Sequence, residues 1–277
     1  MIRGMASTTT TSKRKEAAKK GRKLTRWTAA KLSVLDALGD LYCATPRDLA
    51  RYIRRRNPTQ HDVRSIRATI KNIYEHEERA TFLTQKDYYF NSGTSLFGLN
   101  AHGTHFVKDI MGIENAREFV IKDSEHEHLI TRFHIALREL AFANSWKLEW
   151  KQDAVIADRL INPDAIATLM TDKGTFTFCI EPERQSFTEN HLKKAKKYHS
   201  VFGKPECKTL FGAEKVRVIF IVLSERKRQT MLEKFALEYP YRMFWFTTVD
   251  AFTENIGGEI FSTPKDYTTT NYSLLDL

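Results

Sequence analysis

The six residues Val218 to Leu223 read Val-Ile-Phe-Ile-Val-Leu without a polar interruption. A strand with no polar face needs cover on both sides, so this run predicts an inner strand of a helix-covered sheet. It falls well short of the ~20 apolar residues that cross a bilayer. The flanking pattern extends the reading. A helix is predicted over Glu125 to Asn144, with Leu129, Phe133, Leu137, Leu140 and Ala141 inward, and a strand over Trp146 to Gln152. Val155 to Ala157 and Ala165 to Met170 are extended, and Thr175 to Glu181 follows the turn Thr171-Asp172-Lys173-Gly174. Next come a helix over Thr188 to Val201, the strand Val216 to Leu223, a helix over Glu225 to Glu238 and a strand over Arg242 to Thr248. Helix, three strands, helix, strand, helix, strand makes a central mixed sheet with helical cover, an α+β arrangement.

The amino-terminal part has a different character. Residues 1 to 26 hold nine Lys/Arg against one acidic residue, 27 to 79 hold ten against seven, and 80 to 277 hold 25 against 26. The formal charge of +10 is therefore concentrated at one end, the footprint of a polyanion-binding region. Residues 1 to 26 are expected to form a basic disordered tail, having too little apolar surface to fold. Helices are predicted over Thr28 to Tyr42, from Pro46 with Thr45 as cap, and over Asp62 to His76 with Val63, Ile66, Ile70 and Ile73 inward. Short strands at Thr81 to Thr84, Tyr88 to Phe90 and Leu96 to Leu99 precede a helix over His102 to Met111. Three helices and a ribbon in this order predict a winged helix-turn-helix over residues 27 to 112. Arg64, Arg67 and Lys71 share one face of its third helix as DNA contacts, and Arg51, Arg54, Arg55 and Arg56 are placed against phosphates.

Chemistry is suggested by Asn162-Pro163-Asp164-Ala165, then Ile180-Glu181-Pro182-Glu183, then the lysine-rich segment His191 to Tyr198. Carboxylates at the ends of neighbouring strands suit a hard divalent cation, and a lysine suits a phosphate. Pro182 cannot donate to a strand ladder and calls for an edge or a bulge. Cys43, Cys179 and Cys207 are too dispersed for a zinc site or a disulfide framework.

The helix, hairpin and Pro-Asp order resembles the PD-(D/E)xK nuclease superfamily, and a winged domain placed before it resembles the replication-relaxation family of MobC-like plasmid mobilisation proteins. The likeness covers roughly residues 28 to 250. It implies a restriction-endonuclease-like domain over 122 to 252, with 253 to 277 as a carboxy-terminal extension. It also implies that Asp164 and Glu181 or Glu183 hold magnesium or manganese. The family's strand lysine is replaced by Glu183, so the lysine's role falls to Lys194 on the following helix, with Lys193 and Lys197 as substitutes. Glu125 or Glu127 would complete the metal shell, and Arg184 would brace a phosphate or an acidic neighbour.

The resemblance implies a cytoplasmic, divalent-metal-dependent DNA nickase (relaxase) acting at a plasmid origin of transfer. Its partners would be double-stranded DNA, single-stranded DNA as a further substrate, and other relaxosome proteins, with no membrane insertion. The alternative is a non-catalytic DNA-binding accessory protein, or a replication or transcription regulator. Whether a tyrosine such as Tyr198 bonds covalently to DNA is left open by the sequence. His126, His128 and His134 invite a histidine metal centre, but residues two apart on a helix point about 200° apart, so each is expected to be a polar surface residue or a helix start.

Overall fold

The protein is described by a computed structural model that covers residues 28–75, 82–88, 94–121, 124–152, 161–184, 187–202, 215–266, 268 and 270–276. The expected tail at 1 to 26, the strand Val155 to Ala157, Tyr89 and Phe90, His76 and Cys207 lie outside the described residues. The chain divides into two compact units, one ending at Ser124 and one beginning at Glu125.

In the first unit, α1 (Ala29–Leu41) starts where the Thr28 hydroxyl accepts from the Lys31 amide, and it buries Val34, Leu35, Leu38 and Leu41. After the two-residue strand β1 (Cys43–Ala44), α2 (Pro46–Arg54) opens with a reciprocal Thr45/Asp48 capping box and Pro46 in its first turn. The third helix, α3 (Gln60–Glu75), begins two residues before the expected Asp62. The cause is a second box, in which the Thr59 amide donates to Asp62 at 2.9 Å and the Asp62 amide to the Thr59 hydroxyl at 3.2 Å. Ile66, Ile70 and Ile73 are its buried stripe, with Val63 only half-buried.

The expected strands need correction. Leu83–Tyr88 is one strand, β2, pairing antiparallel with β3 (Thr94–Leu99), and the third strand of the sheet is β1. The polar residues Gln85 and Lys86 read as a turn in sequence, yet they lie on a partly solvated ribbon where polar side chains do not interrupt pairing. The helix α4 (Ala101–Met111) follows, capped by Asn100 and stopped by Gly112 at φ 77°. Gly98 is required by packing: a Cβ there would lie 2.3 Å from the Cβ of Phe119, whose ring covers β3 together with Tyr42, Cys43 and Leu96.

The second unit is built on a seven-stranded mixed sheet, ordered β10-β9-β8-β7-β6-β5-β4. Helix α5 (Ser124–Ala143) precedes β4 (Lys147–Gln152), β5 (Ala165–Thr171) and β6 (Gly174–Glu183), which run antiparallel. Only Asp172 and Lys173 separate β5 from β6, and Gly174 takes the φ of 124° that closes this turn. Helix α6 (Glu189–Phe202), β7 (Lys215–Val222), α7 (Glu225–Glu238), β8 (Phe244–Thr248) and α8 (Val249–Asn255) follow, with β6, β7 and β8 parallel. Residues 253 to 277, expected as an extension, finish α8 and supply β9 (Phe261–Ser262) and β10 (Asn271–Tyr272), which join the same sheet antiparallel beyond β8.

Residues 218 to 222 of β7 are at most 1% exposed, as the unbroken apolar run requires. One sheet face carries Ala165, Phe178, Ile180, Ile219 and Ile221 in a cluster with Leu129, Phe133 and Leu137 of α5 and Phe252 of α8. The other carries Cys179, Val218, Phe220 and Val222 with Ala195 and Tyr198 of α6 and Met231, Leu232 and Phe235 of α7. Phe220 is the centre of this second face, with ring centroids 5.0 Å from Phe246 and 5.3 Å from Phe235. Replacing Phe220 by Ala is expected to cost about 3–5 kcal/mol in urea denaturation; a loss below about 1 kcal/mol would contradict this packing.

Candidate active site

Strand register assembles the site. The last β5–β6 pair is Ala165 with Ile180, so continuing the antiparallel register by one residue sets Asp164 opposite Glu181. Ile180 belongs to the α5 face, so Glu181 points with Cys179 to the α6 face, where it is 1% exposed, and Glu183 follows two residues on. Pro182 lies past that last β5–β6 pair, where no β5 donor or acceptor waits for it, which meets the requirement for a local edge.

From α6, His191, Lys194 and Tyr198 project onto these acids at helical spacing. Lys194 Nζ lies 2.6 Å from Glu181 Oε2 and 3.1 Å from Glu183 Oε1. Tyr198, fully buried, donates its hydroxyl to Glu181 Oε1. His191 Nε2 sits 3.0 Å from Glu183 Oε2, while its Nδ1 lies 2.9 Å from the Thr188 amide nitrogen. From α5, His126 Nε2 reaches Asp164 Oδ1 at 3.2 Å. Each carboxylate thus has its own holder: His126 for Asp164, Tyr198 for Glu181 and His191 for Glu183, with the Lys194 ammonium shared between the two glutamates.

Electrostatics follow from this crowding. Burial above all, and the charge of Asp164, push the Glu181 carboxyl up to about 8 against the pull of Lys194 and Tyr198. Burial also works to raise Asp164, but the hydrogen bond and charge of His126, a hydrogen bond with Glu181 and the charge of Lys194 prevail and lower it. Glu183 is likewise lowered despite its burial, chiefly by the His191 hydrogen bond and the Lys194 charge. Burial opposes charge on Lys194 and His126, yet the neighbouring carboxylates raise both. His191 is raised mainly by its hydrogen bond to Glu183. Burial, then Glu181, raises Tyr198 and keeps it a phenol.

All four residues expected to be catalytic are brought together: Glu181 and Glu183 are both in contact with Lys194, and Asp164 adjoins Glu181. Among the described residues no three His, Cys, Asp or Glu side chains form a group that could hold a metal, and the Lys194 ammonium contacts both glutamates. Other expected side chains have definite partners. Glu125 pairs with Arg184, so Arg184 braces an acidic neighbour, one of its two expected roles, and Glu125 is engaged by a cation. Tyr198, enclosed and bonded to Glu181, is no accessible nucleophile. Two of the histidines are not surface residues: His128 and His134 are buried, and His134 stacks on Trp150 with centroids 4.3 Å apart, whereas His126 lies in the first turn of α5, as a helix-start residue, and holds Asp164. His126 and His191 were missed by sequence reasoning, although His191 stands three residues before Lys194, the spacing that shares a helix face.

A cleft of about 380 Å³ opens beside these groups, lined by Ile161, Asn162, Glu181, Asn190, Lys193, Lys194, Lys197 and Tyr198. The basic residues singled out in the first unit lie on or just past α2 and on α3. Arg64, Arg67 and Lys71 are exposed along α3, while Arg54 and Arg56 are drawn to Asp62 at 3.5 and 3.0 Å. Arg55 is exposed at the left-handed cap of α2, and Arg51 is half-buried in its last turn. No helix among the described residues is long and apolar enough to cross a membrane. Compared with known proteins, the sequence matches no family model and no curated protein.

The raised Glu181 sets the sign of a pH effect. Between its ordinary 4.5 and about 8 the folded state holds a proton that the unfolded chain releases, so stability falls as pH rises through that window. Glu181→Gln is expected to remove this component, flattening the pH 5 to 8 stability profile of metal-free protein by up to about 1 kcal/mol per pH unit. Urea titrations that give parallel profiles for both proteins would overturn the assignment.

Proposed function

We propose that the chain is a cytoplasmic, divalent-metal-dependent DNA nickase of plasmid mobilisation, binding origin-of-transfer DNA through its first unit and cutting in its second. The observation that carries this reading is the meeting of Asp164, Glu181 and Lys194 at the end of the β5–β6 pair. The element order α5, β4, β5, β6, α6, β7, α7, β8 supports a restriction-endonuclease-like core of the PD-(D/E)xK kind. Three helices followed by the β2–β3 ribbon support a winged helix-turn-helix, with Arg64, Arg67 and Lys71 on its reading helix.

The donor set fits a magnesium or manganese ion. Asp164 and Glu181 are adjoining hard oxygen donors, and a dication would offset both the burial that chiefly raises Glu181 and the smaller repulsion from Asp164; Glu183 is a third donor. Bound there, such an ion would polarise the phosphate and lower the pKa of a water molecule. The chain's own residues do the rest. His126 fixes the rotamer of Asp164, Tyr198 that of Glu181, and His191 orients Glu183 to accept a proton from the attacking water. Lys194 faces the cleft as well as the acids, so its ammonium stabilises charge that builds on the phosphate oxygens.

The second reading is a DNA-binding relaxosome accessory or regulator without chemistry, favoured by the Lys194 ammonium occupying the position between the glutamates. The two separate cleanly in a plasmid-nicking assay. Asp164→Ala is expected to lower magnesium- or manganese-dependent nicking of supercoiled DNA at least about 100-fold while DNA retention persists, and equal nicking by both proteins would refute the catalytic assignment. Replacing Arg64, Arg67 and Lys71 together by Ala is expected to weaken duplex binding at least about tenfold and to reduce its salt dependence; unchanged binding would remove α3 from the interface.

A further inference from the structure

We propose that Lys193 and Lys197, with Asn190 and Asn162, form a phosphate-binding rail that seats the backbone of one nucleic-acid strand in the cleft beside Lys194. The inference deepens the nickase reading and rests on it for the direction of the strand toward the carboxylates. Asn190, Lys193 and Lys197 stand three and four residues apart on α6, so they form one line along the helix. That line runs beside the buried line of His191, Ala195 and Tyr198. Only Lys194 of the cluster is committed to the acids; among the described residues Lys193 and Lys197 make no ion pair, and both are exposed. All three polar rail residues of α6 line the cleft, and Asn162 faces them from the segment leading into Asp164.

The shape selects the ligand. A cleft of about 380 Å³ has room for a sugar-phosphate unit of one strand. The chemistry selects backbone over base. Lysine ammonium groups act as point charges toward phosphate, the asparagine amides supply donors, and among the described residues of the lining the one aromatic, Tyr198, is buried with its hydroxyl spent on Glu181. Base stacking, the usual source of added affinity for unpaired strands, therefore has no platform among the described residues of the cleft. Binding in the cleft is through the backbone of one strand and indifferent to sequence.

The test uses the full chain carrying Arg64→Ala, Arg67→Ala and Lys71→Ala, so that the first unit's basic face does not mask the cleft. Fluorescence anisotropy with labelled oligothymidylate is measured across a salt series. Adding Lys193→Ala and Lys197→Ala is expected to reduce the slope of log affinity against log salt by about 1.4, at about 0.7 per phosphate contact on single strands, and Lys193→Arg with Lys197→Arg is expected to restore it. An unchanged slope, or equal losses for the Ala and Arg pairs, would overturn the rail. The failure is distinguishable from failure of the nickase reading: loss of nicking in Asp164→Ala with an unchanged slope sinks the rail alone, whereas persistent nicking in Asp164→Ala sinks the catalytic assignment whatever the slope.

Discussion

The Lys194 ammonium, 2.6 Å from a glutamate that is 1% exposed, is the interaction on which the second unit's polar interior depends. A carboxyl at Glu181 without a cation beside it would be an uncompensated charge among Cys179, Phe220 and Tyr198, costly in any fold. With Lys194 in contact and Tyr198 donating, the group is accommodated, though still pressed toward its neutral form. Lys194 itself remains 37% exposed, and this partial exposure lets one amino group both balance buried acids and line a cleft open to solvent.

The surrounding residues are arranged to keep those acids from moving. His126 arrives from α5 and His191 and Tyr198 from α6, helices that pack on opposite faces of the sheet. The acids can be reached from both sides because they sit where β5 begins and β6 runs past its last β5 partner, at the end of the sheet where the two helical layers can meet. Orienting partners of this kind hold ligand and base side chains in a single rotamer, and preorganisation of that sort is a requirement of acid-base and electrostatic chemistry.

Much of the architecture could be read from residues. The unbroken Val218 to Leu223 run marked an inner strand, and the helix over Glu225 to Glu238 was bounded correctly because Ser224 caps it and its apolar spacing is regular. The segments that resisted reading did so for physical reasons. Strand β1 is two residues long and exists only because the hairpin offers an edge, and β9 and β10 are equally short and lie in a segment without periodicity. Within the site, the acids and Lys194 were legible from residue type and spacing. Their holders were not: His126 is 38 residues from Asp164, and only tertiary packing reveals that the first turn of α5 faces the start of β5.

The turn formed by Asp172 and Lys173 has a consequence that reaches the far end of the hairpin. Side chains alternate faces along a strand, so sliding β5 by one residue against β6 would send Asp164 to the opposite side of the sheet from Glu181. Those two loop residues therefore serve as a ruler for chemistry some seven pairings away, a distance along which no side chain of the turn touches the acids. Indels in this hairpin are constrained by geometry rather than by contact, and one extra residue at Lys173 would erase the alignment while leaving every functional side chain in the chain.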